Sequence, residues 1–178
     1  MRITAAFFLF CCLASTGAHA APVEKTIYGL NEYVWLSEFP VQLAAKLDTG
    51  AKTASLSARD VQRFKRNGET WVRFRLAVDG ADGQVYEHAL ARISKIKRRA
   101  GDYDPEEDEK TYTARPVIEL DLCMGKVRRS IEVNLTDRSA FQYPLLIGSD
   151  ALELFGALID PSLTYSAGKP DCTANDAE

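Results

Sequence analysis

Histidine is scarce in this chain, with only His19 and His88 among 178 residues. Zinc hydrolysis needs about three nitrogen, sulfur or carboxylate ligands around an open position, and no His-Glu-x-x-His occurs in the sequence. A metal site is therefore not expected. Serine- or cysteine-nucleophile schemes need a base, which His88 alone would have to supply; in its strand-like setting it reads as a packed or surface residue. A glycine-rich loop ending in Gly-Lys-Ser/Thr is also missing, so no nucleotide cofactor is expected. Thr49-Gly50-Ala51-Lys52-Thr53 lacks the first glycine and the spacing of such a loop. Nor is there an excess of positive charge. Twenty-two Lys and Arg stand against 25 Asp and Glu, a net charge of −3, which suggests no nucleic-acid partner.

Long apolar runs are lacking too. The stretch Ala5–Ala14 falls short of the about 20 residues a membrane-spanning helix needs. It follows the single basic residue Arg2 and precedes Ala18-His19-Ala20. That is the order of a secretory leader with its small-x-small cleavage site. Cys11 and Cys12 lie inside it with no lipoprotein cleavage box around them. Residues 1–20 are thus expected to be removed on export to the periplasm or beyond, with no stable membrane insertion afterwards. What remains is 158 residues with a net charge near −4, enough for one core without staples. The expected organisation is a leader (1–20), one domain (21–165) and a polar C-terminal tail (166–178). Two cysteines survive leader removal, Cys123 and Cys172. They either pair, as an oxidising compartment allows, or stay free with the tail loose.

What is present is mostly strand. Period-two alternation runs through 32–36, 41–47, 71–78, 85–93, 118–122 and 127–135, with glycines 68, 80, 83 and 125 between segments. Short strands punctuated in this way predict a closed or sandwiched all-β fold. One short helix is expected at 150–155, with Ser149 as N-cap and Gly156 just past its end. The segment Lys95–Thr113 differs. Its basic cluster (Lys95, Lys97, Arg98, Arg99) and acidic run Glu106–Glu109 read as a solvated loop or a mobile hairpin.

The chain is organised around Ala45-Lys46-Leu47-Asp48-Thr49-Gly50-Ala51-Lys52-Thr53. A strand with Val41, Leu43, Ala45 and Leu47 on its apolar side ends in an acid, a hydroxyl residue and a glycine. An aspartate so placed is rigid and can face an opening. Thr49 can hydrogen-bond to nearby backbone or across an interface, and Gly50 removes a Cβ that would obstruct close approach.

This loop resembles the hydrophobic-Asp-Thr/Ser-Gly-Ala motif of retropepsin-type aspartic proteases. The stretch Pro144-Leu145-Leu146-Ile147-Gly148, followed by Gly156 to Asp160, resembles their second motif. With Trp71-Val72-Arg73-Phe74, Arg115-Pro116-Val117-Ile118 and Asp160-Pro161-Ser162, the pattern is similar to a bacterial retropepsin-like branch. That branch carries an ATP-dependent zinc protease label and is associated with RimK-type glutamate ligases. The resemblance spans Tyr28 to Tyr165 and implies a closed retropepsin-like barrel with one short C-terminal helix. It implies Asp48 as the catalytic residue, with Thr49, Gly50, Ala51, Lys52 and Thr53 supporting it or lining the substrate. It also places the region before Arg115 where retropepsins carry their flap. Neither the zinc nor the ATP label finds residues here.

Aspartic proteolysis uses two carboxylates sharing a proton. One Asp-Thr-Gly per chain requires the second from another copy, and two-fold dimers are the commonest oligomers. The expectation is an exported peptidase acting on peptide or protein as a homodimer. A monomeric, non-catalytic module holding a peptide or partner in the Asp48 cleft is the alternative. Hydrolysis of isopeptide or glutamyl linkages is a third, suggested by the ligase association. Two departures from the retropepsin pattern bear on the choice: Lys52 where retroviral members commonly carry an acid, and Ser149-Asp150 where an arginine usually follows Gly148.

Overall fold

The computed structural model describes residues 25–97 and 112–172. The leader, Arg98 and Arg99, the acidic run Glu106–Glu109 and residues 173–178 lie outside them. Eleven strands and one helix follow in chain order. They are β1 (Thr26–Gly29), β2 (Asn31–Leu36), β3 (Gln42–Asp48), β4 (Ala54–Arg66), β5 (Glu69–Leu76) and β6 (Val85–Ala89), then β7 (Arg92–Lys97), β8 (Tyr112–Met124), β9 (Val127–Thr136) and β10 (Leu145–Gly148). Helix α1 (Ser149–Leu154) and β11 (Ala157–Asp160) complete the chain.

Strands β10, β3, β2, β8, β9 and β4 pair in that order, and β4 returns to β10 through Leu56↔Leu145 and Ser55↔Leu146. The ring therefore closes on six strands, the barrel expected from the alternation. Leu43, Ala45 and Leu47 point inward and are buried, while Gln42 is exposed and Lys46 half-buried. Leu47 lies beside Ile147 in the parallel β3–β10 pairing, and both are almost completely buried. Truncating either to alanine would cost about 2–5 kcal/mol, and each precedes a site residue, Asp48 or Gly148.

Several elements run beyond the sequence reading. β4 continues through polar Arg59–Arg66 because it leaves the barrel: its register shifts between Arg59 and Gln62, where Asp60 has φ 56°. The outer half pairs with β5 through Asn67-Gly68, both at positive φ, the dipeptide a tight hairpin turn favours. The expected strand 85–93 is two strands. Leu90 still donates its N–H to Thr70 O, but Ala91 donates to Val117 O, so the chain passes from β5 to β8 at that point. The segment from Lys95, expected as a solvated loop or a hairpin, is antiparallel strand at both described ends, with Lys97 opposite Tyr112.

The helix starts one residue earlier than expected. Gly148 is its N-cap, and Ser149 makes no side-chain cap. At the other end Gly156 adopts φ 59° as the expected terminator, donating its N–H to Glu153 O.

Residues 161–172 lie as a strap along the barrel. Leu30 donates to Leu163 O, Tyr165 to Asn31 O and Asp171 to Gly125 O. The carboxylate of Glu32, fully buried, accepts from the N–H groups of Gly29, Ser166 and Ala167 and from Ser166 Oγ. Tyr165 stacks on Tyr33 at 4.2 Å. Cys123 and Cys172 are bridged, with a Cα–Cα separation of 6.1 Å, which resolves the pairing that the sequence left open.

Candidate active site

Asp48 ends β3 in register with Gly148 of β10. Its Oδ1 accepts the N–H of Gly50 at 3.0 Å, and Lys46 Nζ approaches Oδ2 at 3.5 Å. Ala51 N–H donates to Asp48 O at 3.2 Å, closing the turn. The loop then crosses the end of β10 so closely that a Cβ on Gly148 would sit 2.5 Å from Lys52 O and 2.8 Å from Ala51 O. Those two carbonyls accept the N–H groups of Asp150 (3.1 Å) and Ser149 (2.7 Å). The first donors of α1 are thus satisfied by the Asp-Thr-Gly-Ala-Lys backbone, which is why Ser149 has no capping work. Asp48 stands on a loop fixed from both sides, with its side chain 29% exposed.

Of the residues predicted for the site, Asp48, Gly50, Ala51, Lys52 and Thr53 border one open cleft of about 1220 Å³. Thr49 does not; it faces a second hollow, together with Lys46, Leu152 and Leu158, which Asp48 also borders. His88 is remote from the cleft lining. It pairs with Glu38 (Nε2–Oε2 3.0 Å) beside Phe39 and Phe74. Burial lowers its pKa and Glu38 opposes that.

The cleft also gathers groups to which the sequence assigned no site role: Arg115 belongs to the Arg-Pro-Val-Ile block, and Arg92, Asn134 and Arg138 to no motif. Arg92, from β7, donates through Nε to Glu132 at 2.7 Å and through Nη2 to Thr53 Oγ1 at 3.4 Å. Its hydrogen bond to Glu132 raises its pKa. Asn134, on β9, donates to Ala54 O and accepts from Ser55 Oγ and Arg115 Nη1. Arg138, just past β9, is 7% exposed, and its Nε donates to Tyr143 O at 3.1 Å. Burial and the nearby Arg115 cation push Arg138 below its ordinary pKa, while Asp48 acts the other way. Burial does the same to Arg115. Parallel β4–β9 pairing (Ser55↔Asn134) and β7–β8 pairing (Ser94↔Arg115) bring these distant segments to Asp48. Periodicity places them on strands; only the topology places them together.

No three His, Cys, Asp or Glu side chains among the described residues are close enough to hold a metal ion. The zinc label attached to the resembled branch therefore does not fit this donor set.

A family model described as RimB-like, retropepsin-like aspartic endopeptidase RimB, matches residues 27–170. The chain belongs to the RimB-like family. A solved structure from Legionella pneumophila, the protein Lpg0085 of unknown function, is 35% identical with a TM-score of 0.67, over 81% of this chain and 99% of that one. Curated relatives named "Probable alpha-L-glutamate ligase" include one from Shewanella pealeana, 31% identical over 147 residues, and one from Desulfotalea psychrophila, 29% identical over 151. They match 82% and 83% of this chain, which spans only 31% and 30% of their lengths.

Within this RimB-like barrel the two departures from the retropepsin pattern meet. Lys52 Nζ lies 3.3 Å from Asp150 Oδ1, so the unexpected cation of the loop faces a carboxylate on the first turn of the helix. The pair is largely exposed, so its energy is small. Its geometry still ties loop to helix.

Proposed function

We propose that the chain is an exported aspartic peptidase, active as a homodimer in which two Asp48 carboxylates meet on a two-fold axis. The observation that carries this reading is the backbone-clamped Asp48 loop at the mouth of a large cleft, in a chain of the RimB-like family. One carboxylate of the dyad takes a proton from water and the other gives one to the scissile carbonyl. Beside Asp48, the β1–β11 ribbon offers a face for the second copy. Ile27 and Leu158 are neighbours in its register, 59% and 51% exposed, with Leu154 49% exposed on α1. Export is supported by the leader-like N-terminus and by the Cys123–Cys172 bridge, since disulfides persist in oxidising compartments.

Charge favours an acidic peptide. Five cations border the cleft (Lys52, Arg92, Lys95, Arg115, Arg138) against three carboxylates, in a chain whose net charge is −3. This agrees with glutamyl linkages as substrate, as do the names of the curated relatives. A non-catalytic binding module is the second reading. It is favoured by the engagement of both Asp48 oxygens within one chain, by Gly50 N–H and Lys46.

The discriminating experiment is Asp48→Asn. It keeps the side chain's size and the Gly50 contact but removes the group that carries the proton. Hydrolysis of peptides by the mature chain should fall by about 10²–10⁴-fold or more, with circular dichroism unchanged. A folded variant that cleaves like the parent would exclude the aspartic mechanism.

A further inference from the structure

The cations of the cleft fall into two groups. Arg92 is matched by Glu132 and Lys52 by Asp150, and Lys95 lies over the Tyr112 ring. Arg115 and Arg138 have no carboxylate at ion-pair distance among the described residues. Among the described residues Arg115 reaches only Asn134 Oδ1, at 3.4 Å, and its buried Nε has no partner there. Arg138 is held in place by Tyr143 O and by the Phe141 ring, 4.6 Å from its guanidinium carbon. Burying two neighbouring cations costs free energy that an anion between them would offset. Guanidinium groups suit that role, since each offers a planar fork of donors to a carboxylate. The sheet fixes their positions: Arg115 lies opposite Ser94 in the β7–β8 register, and the Arg138 N–H donates to Ser57 Oγ.

We propose that Arg115 and Arg138 are the specificity-determining residues of the cleft and together bind one carboxylate of the peptide. The proposal rests on the acidic-peptide reading for its substrate but needs no catalysis to be tested. Two sources present the same chemistry, an acidic side chain within the peptide and the α-carboxylate at its C-terminus. Arg92 and Lys52, already matched, contribute general attraction and not the choice.

The test uses the mature Asp48→Asn chain and synthetic peptides carrying Glu or Gln at one internal position, each with a free or amidated C-terminus. Affinity is measured by fluorescence anisotropy, and cleavage by the unmutated chain is followed in parallel. The Glu peptide, or the free-terminus peptide, should bind roughly 10- to 100-fold tighter than its neutral counterpart, the range for hydrogen bonds to a charged group. Preference surviving amidation assigns the side chain; preference removed by amidation assigns the terminus. In Arg115→Gln and Arg138→Gln the ratio should fall towards one while the neutral peptide binds as before, and Arg138→Lys should recover part of it. Equal binding of charged and neutral peptides, or an unchanged ratio in both glutamine variants, would overturn the proposal, as would proportional loss of both peptides. Charge-selective binding without cleavage of any peptide would leave the subsite standing and remove the peptidase reading instead.

Discussion

Gly148 shows how tightly one residue can be specified by its neighbours. A methyl group there would meet two backbone carbonyls, of Ala51 and Lys52, and neither can swing aside as a flexible side chain would. Those carbonyls also hold the first N–H groups of α1, so helix, loop and β10 must shift together. Gly148→Ala should therefore cost about 1–3 kcal/mol, as overpacking typically does. Any peptide hydrolysis should drop on the order of 100-fold, the penalty of misplacing a reacting group by about 1 Å. Thermal unfolding and initial rates check this, and parent-like values in both would mean that the loop is softer than its contacts suggest. The stretch Asp48 to Thr53 could be singled out because turn chemistry and motif coincide there, although Thr49 borders the second hollow and not the cleft. Arg138 could not, and Arg115 stood out only within the Arg-Pro-Val-Ile block without a site role, because their place in the cleft depends on which strands become neighbours. Lys52 and the Ser149-Asp150 pair lie between these cases: each stood out as a departure, and only the fold shows that Lys52 and Asp150 meet.

Among the elements, the C-terminal strap has the widest reach. Leu163 O holds Leu30, Leu30 O holds the N–H of Leu47 at 2.9 Å, and Leu47 immediately precedes Asp48. The strap is fastened by the buried Glu32 carboxylate and by the Cys123–Cys172 bridge, which closes 49 residues of chain. On chain-entropy grounds a loop of that length contributes about 4 kcal/mol. Reduction, or Cys123→Ser with Cys172→Ser, should lower the denaturant midpoint accordingly. It should also speed amide exchange at Leu30 and Leu47 ahead of the barrel core. Exchange at those two amides that stays as slow as in β9 would show that the strap does not support the Asp48 strand. The alternating strands β2, β3, β5 and β9 could be read because each has one face in the core. In the polar stretch from Ala167 onward only Cys172 hinted at docking, since the other anchors are backbone groups and one distant carboxylate. The outer half of β4 escaped notice for a related reason: beyond the bulge it pairs with β5 outside the barrel, so the alternation ends while the strand continues.

For the molecule as a whole, the barrel accounts for six strands, and the β1–β11 ribbon forms a separate two-stranded sheet. Tyr28 of that ribbon is buried, but its register neighbours Ile27 and Leu158 face outward. Leu158 also borders the hollow that contains Asp48 and Thr49. A two-fold axis near Asp48 would bring this face against its copy and cover the leucine and isoleucine. Burial of each is worth about 1.5–3 kcal/mol, and both copies contribute. A chain with Ile27→Lys and Leu158→Asp, opposite charges across the ribbon register, should keep the melting temperature of an isolated barrel, because both side chains are exposed in the single chain. Its dimer dissociation constant should nevertheless rise by at least about 100-fold, the equivalent of roughly 2.8 kcal/mol at a tenfold change per 1.4 kcal/mol. Sedimentation velocity across a dilution series measures this directly. If the dyad is completed by the second copy, specific activity of the unmutated chain should fall over the same concentrations at which the dimer dissociates, and the variant should lose activity at higher concentration. A monomer at every concentration, with constant specific activity, would place the whole reaction within one chain. Asp48 would then have to work with the groups already in its own cleft.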